Sequence, residues 1–209
     1  MSQALKILVV SGPTVEPIDP VRFLTNRSTG TMGRYLVAAA KARGHRVSWV
    51  RCPEDAETAR DLLKKLRGWV PKYDVFFMVA AVCDVRPAGF SSVKLKKTGL
   101  SSIRLVKNPD ILQTLARRKK KGQIFLGFGI ESKGIMESGF KKLRTKGLDA
   151  ILMQKVTTRA VPFGDRKVDA FLLKKDGSCA KLLGVRKPKV AKILVQEAEK
   201  LFLARWPRS

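Results

Sequence analysis

The sequence predicts an α/β fold in which helices cover both faces of a three-layer, doubly wound and mostly parallel sheet. Short, continuous apolar runs such as Leu5–Val10 are typical of parallel strands that are buried on both faces. Such a run is followed by a segment whose apolar residues have helical spacing, such as Thr31–Arg43, which Gly44 ends. Near the C-terminus, Asp176-Gly177 stands between two further apolar runs and predicts a β-hairpin arm.

The elements alternate along the chain as βαβ units require. The predicted strands are Leu5–Val10, Val47–Val50, Val75–Val82, Ile103–Val106, Ile124–Phe128 and Ala150–Met153, followed by the hairpin strands Val168–Leu173 and Ala180–Val185. The predicted helices are Thr31–Arg43, Ala56–Arg67, a helix from Asn108-Pro109-Asp110 to about Lys120, Ser138–Lys146 and Lys189–Phe202. A hairpin arm is marginally stable alone, so it needs either a sheet or a partner subunit to cover it.

We expect one domain over residues 1–209, because no internal repeat and no linker divides the chain. A core of about residues 1–155 precedes a β-arm of about residues 156–186 and a final helix at 187–203. No apolar stretch approaches the ~20 residues of a membrane span. The first residues are typical of a strand and not of a signal peptide. The expected localisation is therefore cytoplasmic, with no membrane partner.

The cysteines indicate neither a disulfide framework nor a metal site. Cys52, Cys83 and Cys179 form no CxxC pair and have no ligand-like spacing with His45. This pattern is typical of free thiols in a reducing compartment.

The formal net charge of +26 raises the question of a nucleic-acid partner. The densest basic clusters are Lys94-Leu95-Lys96-Lys97 and Arg117 to Lys121, but basic residues occur along the whole chain. Aromatic interleaving is weak, and no common RNA- or DNA-binding motif is present. We therefore do not expect nucleic acid as the main partner. A charged, solvated surface or a basic pocket for small anions explains the charge as well.

The most informative segment is residues 11–33, SGPTVEPIDPVRFLTNRSTGTMG. It leads from the first strand to a helix through Asn26, Arg27, Ser28 and Gly30, so free backbone N–H groups at the helix start can meet an anion. Arg22 and Arg27 add positive charge. Ligands in open α/β sheets lie at the carboxyl ends of the strands, and Ser11–Thr14, Asp84 and Phe128–Glu131 all follow strands. Three segments are thus expected to form one anion-binding crevice.

Five segments together resemble phosphopantothenoylcysteine synthetase, the ligase of coenzyme A biosynthesis. They are residues 11–33, AAVCDV at 80–85, KLKK at 94–97, VKNPDIL at 106–112 and GFGIES at 127–132. The resemblance runs from about Lys6 to Phe202 and implies a Rossmann-like fold and a homodimer, with the β-hairpin as the dimerisation arm. In many bacteria this synthetase is the C-terminal half of a bifunctional protein that includes a flavin-dependent decarboxylase.

The resemblance also implies the reaction. The carboxylate of 4′-phosphopantothenate attacks the α-phosphate of CTP, and the amine of L-cysteine then displaces CMP from the acyl-cytidylate. A divalent cation, usually Mg²⁺, assists, and its protein ligands are not indicated by the sequence. No flavin is expected here, and a separate phosphopantothenoylcysteine decarboxylase would act next. Catalysis of this kind needs positioning and charge stabilisation rather than a protein nucleophile.

Residue roles carry over by match to these motifs. The resemblance implies catalytic roles for Asn26, Arg22, Ala81 and Lys94, and substrate binding by Arg22, Asn26, Arg27, Ser28 and Gly30. It implies nucleotide binding by Met78, Val79, Ala80, Asp84, Lys94, Pro109, Asp110, Ile111, Leu112, Phe128, Lys142 and Lys146. In this assignment Met78–Ala80 contact cytosine through the backbone, Lys94 lies on a mobile flap, and Lys142 and Lys146 bind phosphates.

Each of these residues also has an ordinary structural explanation. Asn26 could cap the helix that begins near Ser28, and Asp84 could close a turn. Lys94 could be a surface lysine, and Phe128 could belong to the core. Lys142 and Lys146 share a helix face at i, i+4, which suits a solvated basic surface.

The chain departs from the family pattern at several positions. Thr31 stands where the family usually has lysine, and Thr29 replaces a serine. Gln154-Lys155 stands where Asn-Asp is typical, and an asparagine usual near Val168 is missing. These changes bear on phosphopantothenate affinity and dimer contacts.

An NAD(P)-binding oxidoreductase is the alternative that the fold class alone suggests. However, the first loop is GPTVEPIDP and not GxGxxG, and no acidic residue ends the second strand at Trp49-Val50-Arg51.

Overall fold

The computed structural model describes residues 3–99, 101–157 and 163–205, and its centre is a seven-stranded sheet. The strands are β1 (Lys6–Ser11), β2 (Val15–Pro17), β3 (Phe23–Thr25), β4 (Arg46–Arg51), β5 (Val75–Met78), β6 (Val85–Pro87), β7 (Leu105–Lys107), β8 (Ile124–Glu131), β9 (Ala150–Lys155), β10 (Lys167–Lys174) and β11 (Cys179–Arg186). The helices are α1 (Thr31–Ala42), α2 (Ala59–Trp69), α3 (Ile111–Ala116), α4 (Ile135–Thr145) and α5 (Lys187–Arg205).

The main sheet has the strand order β11-β10-β9-β8-β5-β1-β4. The five strands from β9 to β4 are parallel, and only β10 and β11 run antiparallel to their neighbours. The order reverses direction at β1, because β4 lies on one side of β1 and β5 on the other. This confirms the predicted doubly wound, mostly parallel α/β fold.

Two hydrophobic clusters fill the space on either side of the sheet. Alternate residues of each parallel strand point to opposite faces, so Ile7 and Val9 belong to one cluster and Leu8 and Val10 to the other. Helices α1 and α5 cover the first face, and α2, α3 and α4 cover the second. These four residues of β1 are all fully buried, which explains why they form a continuous apolar run.

Several predicted boundaries are wrong in instructive ways. The strand predicted at Val75–Val82 ends at Met78, because the chain then turns to pair Ala81 with Pro13. The helix predicted to reach about Lys120 ends at Ala116. The predicted strand Ile103–Val106 lies outside the main sheet and forms a two-stranded ribbon, β6–β7. A second ribbon, β2–β3, lies inside the segment that was predicted to be a polar loop.

The C-terminal hairpin forms the edge of the main sheet. Strand β10 pairs with β9, and β11 lies outside it, so this chain's own sheet covers one side of the hairpin. The turn uses Gly177 at φ +87°, as the Asp-Gly signal predicts. The expected β-arm at 156–186 includes residues 158–162, which lie outside the described residues. In the part of the chain that the structure describes, no helix is both long and apolar enough to cross a membrane.

Helix α5 is fastened to the rest of the domain by charged contacts near its C-terminal end. Glu199 accepts hydrogen bonds from the Arg43 guanidinium, Nε to Oε1 and Nη2 to Oε2, both at 2.6 Å. His45 Nε2 lies 2.7 Å from Glu199 Oε1. Burial alone would raise the pKa of Glu199, yet the hydrogen bonds from Arg43 and His45 hold that pKa below its usual range.

We expect Glu199→Gln to lower the free energy of unfolding by about 1.5–3 kcal/mol at pH 7, the range for hydrogen bonds to charged groups. Because the folded pKa of Glu199 lies below its ordinary value of 4.5, this stabilisation is present above pH 4.5 and is lost as the pH falls through the folded pKa. The difference between wild type and variant should therefore shrink in acid, as measured by urea unfolding at several pH values.

The matched control is Glu197→Gln on the same helix, where Glu197 pairs with Lys174 at 3.0 Å. A destabilisation at pH 7 as large for Glu197→Gln as for Glu199→Gln would contradict the special role of Glu199.

Candidate functional site

A cavity of about 580 Å³ lies at the carboxyl ends of the parallel strands. This is where an open α/β sheet whose strand order reverses places its ligand crevice. The lining comes from the segments after β3 and β5, from β8 and β9, from the C-terminal end of α4 and from the starts of α1, α3 and α5. It comprises Asn26, Ser28–Met32, Met78–Asp84, Asn108–Leu112, Phe128–Ile130, Lys142, Lys146, Ile151, Gln154, Phe163 and Lys187.

Helix α1 opens directly on the cavity. Its N-cap is Gly30, in the left-handed conformation at φ +66°, and no side chain caps the helix. Gly30, Thr31 and Met32 line the cavity, so the first amides of α1 are presented to a ligand rather than to a capping group. The positive end of the helix dipole points the same way. The expected anion site at the start of this helix therefore has the right geometry.

The loop after β1 and the segment after β5 are joined by backbone hydrogen bonds. Ala81 N–H donates to Gly12 O at 2.9 Å, and Thr14 N–H donates to Ala81 O at 3.2 Å. The Thr14 hydroxyl oxygen accepts from Cys83 N–H at 2.9 Å. The loop after β1 thus holds the segment after β5 in place; Met78–Asp84 line the cavity, whereas Ser11–Thr14, which were expected to take part in the crevice, do not line it.

Asn26 contributes its side chain to the wall of the cavity and does not cap α1. Its Nδ2 donates to Ala81 O at 3.0 Å and lies 3.7 Å from Cys83 Sγ. The explanation of Asn26 as a helix cap is therefore wrong, since Gly30 occupies the N-cap position. The amide is exposed at the cavity rim, where a ligand can contact it.

The segment proposed to contact the base has few free amides. Val79 N–H donates to Val10 O at 2.8 Å, and the Ala81 amide is also used, as described above. Because the amides of Val79 and Ala81 are already used, we expect the backbone of this segment to contact a base through its carbonyl oxygens and through the amide of Ala80. Phe128 is half-buried, lines the cavity and packs against the core, and its contact with the nucleotide stays a prediction.

Two lysines of α4 reach the cavity, and each is paired with a carboxylate. Lys142 Nζ lies 2.7 Å from Glu131 Oε1, and Lys146 Nζ lies 3.1 Å from Asp110 Oδ2. The hydrogen bonds from Lys142 and Ser138 hold the pKa of Glu131 below its usual range. Asp110 is also the N-cap of α3, where it accepts from Gln113 N–H at 3.0 Å. These lysines are therefore not a solvated basic face.

The cavity also contains residues that the sequence did not indicate. Lys187, the first residue of α5, is buried and donates to Gly164 O, and burial lowers the pKa of its ammonium group. Lys187 follows β11, which is antiparallel to β10 and therefore runs in the same direction as the parallel strands, so α5 starts at the carboxyl edge of the sheet. Only the pairing of β10 with β9 reveals this, and the sequence pattern does not specify that pairing. By contrast, Gln154 is a position that the sequence does single out, as a departure from the family pattern; it is buried near the end of β9 and lines the cavity.

Three of the predicted residues do not line the cavity: Arg22, Arg27 and Lys94. Arg22 Nη1 pairs with Asp19 Oδ2 at 2.8 Å and donates to Leu95 O at 3.2 Å. Leu95 N–H donates to Asp19 Oδ2, so the segment that carries Lys94 is fastened outside the cavity. Burial alone would raise the pKa of Asp19, but hydrogen bonds from backbone amides, with the charge of Arg22, hold it below its usual range. Arg27 and Lys94 are exposed to solvent.

The thiols of Cys52 and Cys83 are expected to be poor nucleophiles. Cys52 and Cys83 are buried, and burial raises the pKa of the Cys52 thiol to about 12 and also raises the pKa of Cys83. Among the described residues, no group of three or more histidine, cysteine or acidic side chains could hold a metal ion.

The parallel sheet, the reversal at β1 and the helix that opens uncapped on the cavity define a doubly wound α/β protein with a cleft at the carboxyl ends of its strands. The chain belongs to the family described as the DNA/pantothenate metabolism flavoprotein C-terminal domain, whose profile matches residues 2–202.

Curated relatives support this membership. The chain is 33% identical over 207 residues to the coenzyme A biosynthesis bifunctional protein CoaBC of Vibrio parahaemolyticus, covering 92% of this chain and 52% of that protein. It is 32% identical over 209 residues to CoaBC of Escherichia coli K12, covering 92% and 51%. The chain therefore spans about half the length of these bifunctional relatives.

Solved structures agree with the fold. The crystal structure of the C-terminal domain of CoaBC superposes with a TM-score of 0.79 at 29% identity, covering 97% of this chain and 98% of that one. A Cab2 variant in complex with phosphopantothenate-cysteine has a TM-score of 0.69 at 14% identity, covering 97% and 89%. At this identity the second likeness shows the fold alone.

Gly12 sets the position of the loop after β1, because its backbone has φ +91° and a Cβ there would lie 2.0 Å from Cys52 O. We expect Gly12→Ala to lower the free energy of unfolding by at least about 2 kcal/mol, from strain and a backbone clash together. The matched control is Gly44→Ala, with φ +80° and no atom within 4 Å of the added carbon. It should lose only about 1–2 kcal/mol. Equal melting temperatures for the two variants would contradict this reading.

Proposed function

We propose that this chain is the ligase that joins 4′-phosphopantothenate to L-cysteine in coenzyme A biosynthesis. In this proposal CTP activates the substrate carboxylate as an acyl-cytidylate, and CMP and pyrophosphate are released. One observation carries the proposal. A single cavity, on which the uncapped start of α1 opens, is lined by residues from four separate motifs, at 11–33, 80–85, 106–112 and 127–132. The names of the bifunctional relatives point to the same pathway.

The cavity suits a ligand with several phosphate groups. The start of α1 offers backbone amides, α4 offers Lys142 and Lys146, and the start of α5 offers Lys187. Pro109 to Leu112 bring the first turn of α3 to the same space. We assign the triphosphate to the side of the cavity lined by α3 and α4, and the base to the side lined by Ala80 and Phe128.

A divalent cation fits this site as a companion of the nucleotide. Asp84 and Asp110 line the cavity, and Asp110 is paired with Lys146. Mg²⁺ is usually held by one or two carboxylates together with substrate phosphates, so Asp84 is the protein ligand we assign. When bound, the cation would neutralise charge on the phosphates of the nucleotide.

The chain's own residues contribute positioning and charge. The carboxylate of phosphopantothenate is itself the nucleophile, so the protein has to hold it in line with the α-phosphorus. Lysines and helix amides stabilise the charge that develops on the phosphoryl oxygens. Asn26, fixed by its bond to Ala81 O, lies at the rim where the amine of cysteine attacks the activated carbonyl in the second step.

Lys94 and Arg22 require a movement to take part. The segment that carries Lys94 is fastened through Leu95 to Asp19 and Arg22. We propose that this segment closes over the cavity when nucleotide is bound, with Lys94 reaching the phosphates.

The structure does not favour the alternative of an NAD(P)-binding oxidoreductase. Arg51 ends β4, where a dinucleotide-binding fold would place an acidic residue for the ribose, and its backbone amide donates to Asp55 at 2.8 Å.

We propose that the protein acts as a homodimer through a ribbon patch, which consists of Val21, Phe23, Phe90, Val93, Ile103 and Leu105. All six are exposed large apolar side chains, with Val21, Phe23, Phe90 and Val93 more than half exposed. Hydrogen bonds join their segments: Ser91 N–H donates to Ile18 O at 3.0 Å, and Ala88 N–H donates to Arg104 O at 2.9 Å. By contrast, Leu183 is the exposed large apolar residue of the described hairpin strands. Six exposed large apolar side chains on segments that are joined by hydrogen bonds are typical of an interaction surface.

The ligase proposal is tested by incubating the purified chain with CTP, Mg²⁺, 4′-phosphopantothenate and L-cysteine. We expect release of pyrophosphate and CMP in equal amounts, both dependent on phosphopantothenate, measured by chromatography against a heat-treated sample. Absence of release above that sample would refute the proposal.

Asn26→Asp tests the second step. The new carboxylate cannot donate to Ala81 O and places negative charge beside the attacking amine, so we expect pyrophosphate release to stop near one equivalent without CMP. Gln113→Glu is the matched control, an amide-to-acid change at an exposed position of α3 outside the cavity lining. It should turn over normally. Full CMP release by Asn26→Asp would remove Asn26 from the mechanism.

The dimer proposal is tested by Phe23→Asp and, as control, Leu183→Asp on the hairpin. Because a buried unpaired charge is strongly unfavourable, Phe23→Asp should elute as a monomer in size-exclusion chromatography with light scattering, while Leu183→Asp stays dimeric. The opposite pattern would place the interface on the hairpin arm that the family resemblance implies.

A further inference from the structure

The edge of the sheet opposite the cavity carries a dense row of cations. This is the amino edge, where the parallel strands begin and where all five helices end. We define the basic edge as the exposed lysines and arginines that flank the strand starts: Lys6, Arg46, Lys72, Arg117, Arg118, Lys120, Lys121 and Lys175.

Strand pairing places these cations in sheet order. Lys6 and Arg46 are register partners in β1 and β4. Lys6 N–H donates to Asp74 Oδ2 at 2.7 Å, and Lys120 Nζ donates to Pro71 O at 3.0 Å, which brings the starts of β1, β5 and β8 together. Lys175 N–H donates to Asp149 O at 2.9 Å, next to the start of β9. From β4 to β10 the row crosses five strand spacings, about 24 Å.

The carboxylates near this edge are already engaged by the protein. Asp149 is buried and accepts from Phe125 N–H at 2.7 Å, from Lys119 and from Arg205. Asp74 accepts from Lys6 N–H, and Asp176 accepts from Ser178 N–H at 2.9 Å. The exposed cations of the basic edge therefore gain little neutralisation from these groups.

Helix dipoles account for only part of this charge. Each helix C-terminus carries about half a negative elementary charge, so five of them offset about two and a half. The basic edge has more cations than that. The eight cations of the basic edge therefore leave an excess of about 5.5 positive charges at this edge, which is about a fifth of the formal net charge of +26.

An aromatic pair lies at the same edge. Trp69, the last residue of α2, and Tyr73, just before β5, are half-buried and stack with ring centroids 6.5 Å apart and planes at 19°. Lys65 Nζ lies 5.3 Å from the centroid of the Trp69 ring, and Tyr73 OH lies 2.7 Å from Ser48 Oγ. Aromatic faces set beside cations are the arrangement on which nucleobases stack in proteins that bind single strands.

We propose that the basic edge, with Trp69 as a stacking platform, binds single-stranded nucleic acid without sequence preference. The cations contact successive phosphates, and one or two bases stack on the indole. An anionic membrane fits less well, since membrane association of this kind also requires exposed apolar side chains. Within residues 3–99, 101–157 and 163–205, Leu203 of α5 is the exposed large apolar residue near this end of the fold. The site is at the opposite edge from the cavity and does not depend on the proposed ligase activity.

The experiment measures fluorescence anisotropy of a labelled oligothymidylate of about 20 nucleotides at a series of NaCl concentrations. Each phosphate contact with a single strand contributes about 0.7 to the slope of log K against log salt. We expect Arg117→Gln/Arg118→Gln/Lys121→Gln to reduce the slope by about 2 and to weaken binding about tenfold or more at 0.15 M salt. Trp69→Phe should weaken binding less and leave the slope unchanged.

The matched control is Lys133→Gln/Lys189→Gln/Lys192→Gln, which removes three exposed cations away from this edge, two of them in the first half of α5. It should keep wild-type affinity and slope, and melting temperatures check that every variant is folded. Equal weakening of the two triple variants would overturn the proposal in favour of diffuse charge. Absence of binding at 0.1 M salt would also overturn it. Loss of oligonucleotide binding when CTP is added would also contradict the proposal, because it would place the oligonucleotide in the cavity. Binding to phosphatidylserine vesicles but not to the oligonucleotide would contradict it in favour of a membrane.

Discussion

The site depends on the hydrogen bonds between the loop after β1 and the segment after β5. Ala81 donates to Gly12 O and accepts from Thr14 N–H and from Asn26 Nδ2. Its carbonyl oxygen therefore uses both lone pairs inside the wall of the cavity, and the wall has one arrangement that satisfies all of its polar groups. Gly12 is required because only a residue without Cβ leaves room for Cys52 O. Without this junction, Asn26 and Asp84 would have no fixed relation to α1.

Much of the fold could be predicted from the sequence, because parallel strands buried on both faces leave continuous apolar runs. The central strands and five helices were found for this reason, with errors at their ends. The two ribbons, β2–β3 and β6–β7, were not predicted as such. Their strands have three residues each, too few for a period of two to be recognised, and tertiary hydrogen bonds define them.

The candidate site follows the same division. Residues that belong to the five motifs and lie on strand ends or helix starts, such as Asn26, Asp84 and Phe128, line the cavity as expected. Arg22 and Lys94 do not line the cavity. Asp19 accepts hydrogen bonds both from Arg22 and from Leu95, the residue after Lys94, and no local sequence pattern around Asp19 indicates these contacts. Lys187 was missed because its place depends on a strand pairing between β9 and β10. A sequence specifies local geometry more directly than it specifies which distant segments meet.

The two ends of the sheet differ in how they hold positive charge, and this difference is chemically useful. At the cavity, Lys142 and Lys146 are each paired with a carboxylate, which balances their charge and holds their side chains in place. A phosphate that displaces Glu131 or Asp110 exchanges one anionic partner for another and meets cations already in position, which limits the reorganisation that binding requires. Among the described ion pairs, none joins an exposed lysine of the basic edge to a carboxylate. Paired cations suit a small ligand that must be held in one pose, whereas a flexible row suits a long polyanion whose phosphates need no single register.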